Sequence, residues 1–181
     1  EVFKEGTYEI ESERRGYALE LAVDFVRMEY TRHRFWEKDD TPVVPLKSQT
    51  LEDVIGTWPQ GKINVRIGDY MFRPHQKWTI TAVPDGGGYL GGPYYKIVIE
   101  GTNRALAATA DAEVVTVPEF TGAPEQLWRI DQLTDGTYRI MPKEVPGTDK
   151  ELVLVSVGDS TPSLGEFDMN SDNSKWNFRD H

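Results

Sequence analysis

Apolar and polar positions alternate along most of the chain, most clearly in residues 125–141, EQLWRIDQLTDGTYRIM. Leu127, Trp128 and Ile130 precede Asp135-Gly136, and Tyr138 and Ile140 follow it. Period-two alternation on both sides of Asp-Gly predicts two short strands around a tight turn. Parts of this hairpin recur. Gly6-Thr7-Tyr8-Glu9-Ile10 echoes Gly136-Thr137-Tyr138-Arg139-Ile140, and Gln76-Lys77-Trp78-Thr79-Ile80 echoes Gln126-Leu127-Trp128-Arg129-Ile130. A third tryptophan segment, Ser174-Lys175-Trp176-Asn177-Phe178, keeps the apolar residue two positions after Trp. Residues i and i+2 of a strand share a face, so each segment delivers a large apolar pair to one core.

The turns repeat in step. Asp85-Gly86 follows Trp78 at the offsets at which Asp135-Gly136 follows Trp128, which predicts a second hairpin turn there. Tyr95-Lys96-Ile97 supplies the middle Tyr-x-Ile strand, displaced by the Gly-rich stretch 86–93. Each unit thus begins on Tyr-x-Ile and ends on Trp-x-Ile/Phe. The chain reads as one all-β domain: a β-trefoil of three pseudo-repeats, about 5–80, 81–130 and 131–181, with an enlarged first repeat. Three such units bury one face each and close a barrel, whereas a solenoid would show more regular stacking with atypical caps. Segments 105–117 and 150–158 read as further strands, and 50–58 as one helical turn. Residues 15–36 read as one long strand or a hairpin without a clear turn.

Composition narrows the function. Apolar residues at 38% and aromatics at 11% suit a folded domain. No apolar run reaches the roughly 18–20 residues of a membrane span. Cysteine is absent, which removes disulfides, thiol catalysis and thiolate metal sites together. Thirty acidic against twenty basic residues give a net charge of −10, which disfavours nucleic acid and anionic membranes as partners. No signal-peptide pattern opens the sequence, and the compartment is left open between cytoplasmic and secreted. None of the metalloprotease, serine-hydrolase or dinucleotide motifs occurs in a suitable context, so no catalytic residue, metal site or cofactor is expected.

The first repeat carries about thirty extra residues, and long connections concentrate function. Its basic-aromatic run, residues 27–36, reads as a strand with solvent-facing arginines. The expected partner-binding residues are Arg34, Trp36, Lys38, Lys47, Trp58, Pro59 and Gln60. Phe35, Trp36, Trp58, Tyr70 and Phe72 form an alternative set that would line a pocket for a small hydrophobic ligand or pigment.

The Gln-x-Trp repeats resemble those of the ricin-B-type trefoil lectins, a likeness that implies fold. In those lectins sugar binding rests on an Asp and an aromatic at fixed offsets in each unit, and no such repeated pair occurs here. The chain more closely resembles the cysteine-free β-trefoil protease inhibitors of mushrooms, the mycospins and mycocypins. Gly6-Thr7-Tyr8-Glu9-Ile10, the stretch from Trp128 to Ile140 and the final Trp176-Asn177-Phe178 carry that likeness. It covers residues 1–14 and about 75–181 and implies a non-enzymatic binding protein. The expected partner is a serine or cysteine protease. A serine protease would take one exposed basic residue, with Arg34, Lys38 and Lys47 as candidates. For a cysteine protease the mycocypin likeness implies rigid loops near residues 11–16 and 56–61; a glycan or a small ligand is the alternative. A loop already held extended binds a protease cleft with little ordering cost.

Overall fold

The structure is a computed structural model and describes residues 3–14, 16–23, 50–89, 92–158 and 161–180. Each unit contributes four strands. The first unit has β1 (Gly6–Ser12), β2 (Ala18–Leu21), β3 (Ile63–Gly68) and the opening half of β4 (Trp78–Tyr89). The second has β5 (Gly92–Ile99), β6 (Ala105–Ala108), β7 (Val114–Val117) and β8 (Trp128–Gln132). The third has β9 (Tyr138–Pro142), β10 (Val153–Val157), β11 (Thr161–Gly165) and β12 (Trp176–Asp180).

The first and last strands of the units pair in a closed ring, β1–β4–β5–β8–β9–β12, and β12 pairs back onto β1. The middle strands form the hairpins β2–β3, β6–β7 and β10–β11. A six-stranded barrel with three hairpins is a β-trefoil, and closure leaves the barrel strands without open edges.

The repeated residues occupy equivalent places. Trp78, Trp128 and Trp176 are all fully buried. Each indole N–H donates across 2.9 Å to a carbonyl of its unit's second strand: Leu19, Leu106 and Leu154 respectively. A buried indole that leaves its N–H unpaired loses stability, so the same acceptor is built three times. Ile10, Ile97 and Ile140 are equally buried behind them. Tyr8, Tyr95 and Tyr138 converge on Phe3, whose ring centroid lies 5.3, 5.7 and 5.6 Å from theirs. Phe178 completes this plug at 4.7 Å.

One sequence expectation needs correction. Asp85-Gly86 is not a hairpin turn: β4 runs through it to Tyr89, and the β4–β5 ladder continues with a register shift between Val83 and Gly88. Gly87, at φ +88, absorbs the irregularity, and Lys143 Nζ donates to the Gly86 carbonyl at 2.7 Å. By contrast, Asp135-Gly136 does turn, with Gly136 at φ +90. Of residues 15–36, expected to form one long strand or a hairpin, Ala18–Leu21 form β2, and residues 24–49 lie outside the described residues. The helical turn expected within 50–58 is present as α1 (Leu51–Gly56). Thr50 caps it, accepting from the Asp53 amide and donating its own amide to the Asp53 carboxylate. Among the described residues no helix is long and apolar enough to cross a membrane.

Candidate functional site

Arg34, Trp36, Lys38 and Lys47 lie outside the described residues. Trp58, expected among the partner-binding residues, is 7% exposed and packs into the core. Its loop is clamped from the second unit. Arg104 Nη1 donates to the Gly61 carbonyl at 2.8 Å, and Nη2 to the Pro59 carbonyl at 2.9 Å. Arg104 is itself buried, and burial pushes its pKa below the ordinary value. Pro59 and Gln60 remain exposed on this pinned loop.

The glutamine of Gln-x-Trp has a positional role. Gln76 is fully buried, and its Oε1 accepts from the amides of Met71 and Arg73 at 2.9 and 3.3 Å. Gln126 accepts from the Thr121 amide at 2.8 Å, and Ser174 donates to the Asp168 carbonyl at 3.2 Å. In each unit the residue two before the tryptophan therefore fixes the loop between the third and fourth strands.

In the first unit Gln76 also donates to Glu20, at 2.9 Å. Glu20 is buried, with Arg66 Nε at 2.7 Å and His75 Nε2 at 3.4 Å from its carboxylate. Burial raises its pKa, but His75, Arg66 and Gln76 together outweigh burial, and the net shift is downward. Strand β3 ends on glycine for this reason, since a Cβ on Gly68 would come within 2.7 Å of Glu20 Oε1.

Each pinned loop carries an aromatic residue: Tyr70, Phe120 and Phe167. Phe120 lies under Lys96 Nζ at 5.4 Å, and Phe167 under the Arg139 guanidinium at 5.0 Å. Lys96 and Arg139 each follow the first-strand tyrosine of their unit. The residue following Tyr8 is Glu9, an acid where the other units place a base.

Around Glu9 the surface is concave. A depression of about 400 Å³ is lined by Glu9 and Glu11 of β1, Arg179 and Asp180 of β12, Gly16, and the ring pair Tyr70 and Phe72. The two rings lie 4.7 Å apart, tilted by 56°. Phe72 is 72% exposed and has φ +56, a left-handed conformation that costs a non-glycine residue roughly 1–2 kcal/mol. The Gln76 bonds to the amides on either side hold it there. Gly16, at φ +72, keeps the opposite wall open; a Cβ there would approach Glu11 Oε1 to 3.1 Å.

Charge in the depression is uneven. Arg179 ion-pairs with Glu11 and also donates to it from Nη2 at 3.4 Å. Glu9, directly opposite Arg179 in the β1–β12 register, is only 5% exposed. Burial and then Glu11 push its pKa up, while Arg179 opposes them. Burial, followed by Glu9 and Glu100, also raises the Tyr70 hydroxyl, to about 12, so it stays a donor at neutral pH. Among the described residues no group of three or more His, Asp or Glu side chains is arranged to hold a metal ion.

A larger cavity, about 560 Å³, sits under the β9–β10 loop, residues 143–151. Its acidic and basic side chains balance, and Lys143 is already engaged with the Gly86 carbonyl and the Tyr94 ring.

Residues 74–163 match the family model described as ricin-type beta-trefoil lectin domain-like. No curated protein matches the chain by sequence. Solved structures place it among trefoils. A mosquitocidal holotoxin aligns at TM-score 0.66 and 14% identity, over 99% of this chain and 18% of that one. The designed threefold-symmetric protein ThreeFoil aligns at 0.61 and 19%, over 97% of this chain and 99% of ThreeFoil. A Polyporus squamosus lectin, bound to the epitope Neu5Acα2-6Galβ1-4GlcNAc, aligns at 0.59 and 16%, over 99% of this chain and 50% of the lectin. The chain therefore spans less than a fifth of the holotoxin and half of the lectin.

Proposed function

We propose that the protein is a carbohydrate-binding β-trefoil whose site is the depression between β1, β12 and the Tyr70–Phe72 loop. The observation that carries this reading is the combination found there. An exposed ring is held in a strained conformation beside buried and rim carboxylates and a guanidinium. Sugars present apolar C–H faces to rings and hydroxyls to charged acceptors and donors, and the depression falls within the size range of small-ligand sites. The ricin-type lectin-domain match over residues 74–163 supports a glycan over a protease as the partner. The first-unit loops that the mushroom-inhibitor likeness assigned to protease binding include the 56–61 loop, which anchors a buried Trp58 and is clamped by Arg104.

The test is a glycan array probed with the wild-type protein and with Phe72→Ala. Binding that falls about tenfold or more in the variant, with an unchanged circular dichroism spectrum, is the expected result. Absence of any glycan binding by the wild-type chain would overturn the reading.

A further inference from the structure

Within the carbohydrate reading, on which this inference rests, we propose that the first-unit depression selects sugars bearing a protonated amine, with Glu9 as the partner of that amine. Four observations converge. Glu9 is 5% exposed and lines the depression, yet among the described residues it makes no hydrogen bond or ion pair. Its cross-strand neighbour Arg179 is turned to Glu11 instead. A carboxylate that keeps only a narrow opening to water, onto the depression, and has no partner in the protein is best matched by a ligand group that donates hydrogen bonds and carries positive charge. A neutral hydroxyl supplies one donor, whereas a protonated amine supplies three together with the charge.

The internal symmetry points to the same chemistry. In the second and third units the position after the strand tyrosine holds the protein's own cation, Lys96 or Arg139, next to the loop aromatic. In the third unit that cation also meets a carboxylate of the adjoining strand, with Arg139 Nη2 at 2.7 Å from Asp131. The first unit exchanges the two signs, with Glu9 on the first strand and Arg179 on the last, and the register is the same. The trefoil accommodates a cation beside the loop aromatic in two units. In the first unit the chain places an acid there, in the wall of a depression of about 400 Å³. Once Arg179 has paired with Glu11, Glu9 and Asp180 leave an excess of negative charge around it.

The experiment is isothermal titration of the full chain with a β-1,4-linked glucosamine trimer and with its fully N-acetylated counterpart, at low and high salt. The glucosamine trimer is expected to bind at least tenfold more tightly, with the advantage reduced by salt. Glu9→Gln should abolish that preference while leaving the melting temperature within a few degrees. Asp180→Asn, at the exposed rim, serves if Glu9→Gln does not fold, and should reduce the preference about threefold. A carbon-13 titration of the Glu9 carboxyl gives a second readout, because amine binding should lower its apparent pKa. Equal affinity for the two trimers, or a preference untouched by either variant, overturns the inference. Binding of neutral glycans without amine preference leaves the carbohydrate reading intact while overturning this one; no glycan binding at all removes both.

Discussion

The position after the strand tyrosine is occupied by Glu9 in the first unit and by Lys96 and Arg139 in the second and third. The backbone around it is the same each time, set by a buried tryptophan with an identical carbonyl partner and by a tyrosine against Phe3. Core-facing residues hold the three units alike, while one residue per unit on the other strand face differs and sets what its surroundings do. Where it is basic it meets the unit's own loop ring. Where it is acidic the surface opens into a depression. The first unit also has a buried ionic cluster, Glu20 with Arg66, His75 and Gln76, where the corresponding second strands, β6 and β10, carry Ala107 and Val155 after their leucines.

The likeness of the inward faces can be broken most severely. Trp78→Ala, Trp128→Ala and Trp176→Ala should each cost about 3–5 kcal/mol, from a total that rarely exceeds about 15 kcal/mol. Denaturant titration of all three checks this, and values differing by more than about 2 kcal/mol would contradict their equivalence. Second comes the ionic cluster peculiar to the first unit. Glu20→Gln strips the carboxylate from half-exposed Arg66 and buried His75 and Gln76 and should cost about 1–3 kcal/mol at neutral pH. The folded-state pKa of Glu20 lies below its ordinary 4.5, so this contribution is fully present above pH 4.5 and is lost as pH falls below it. Urea melts of wild type and variant should therefore converge in strong acid, and a constant gap would disprove the assignment.

Smaller effects sharpen the outward comparison. Phe120→Ala and Phe167→Ala remove half-buried rings that carry cations, and each should cost about 1–2 kcal/mol. Phe72→Gly should do the reverse. It relieves a left-handed phenylalanine and should raise stability by a few tenths to about 1 kcal/mol, while weakening glycan binding. Thermal melts with matched array data would show it, and a loss of stability above about 1 kcal/mol would mean the ring is structural.

The barrel was legible because its signal is local. Tyr-x-Ile and Trp-x-Ile place large residues on one strand face, and the repeat announces that the same core is built three times. The Asp85-Gly86 turn was misplaced because the glycines after it let β4 and β5 go on pairing around a bulge. Trp58 read as a partner-binding residue because the bonds that pin its loop come from Arg104 in another unit, a contact no local pattern encodes. The aromatics eight or nine residues before each tryptophan, Tyr70, Phe120 and Phe167, are a periodic signal the sequence did contain. Tyr70 and Phe72 were expected among pocket-lining residues and do line the depression; Glu9 and Arg179 were not. They sit at opposite ends of the chain, and only the β1–β12 pairing brings them together.

That pairing also bears on the order in which the protein assembles. The β1–β12 seam joins Tyr8 to Asp180 and Ser12 to Trp176, the longest loops the chain closes. Contacts so distant in sequence repay their closure entropy only after the intervening structure is in place. The hairpins β6–β7 and β8–β9, by contrast, join near neighbours and can form early. The wall that carries Glu9 and Arg179 is therefore expected to zip last, so that the depression forms only as folding is completed. Mutations along the seam should accordingly speed unfolding and leave the folding rate nearly unchanged.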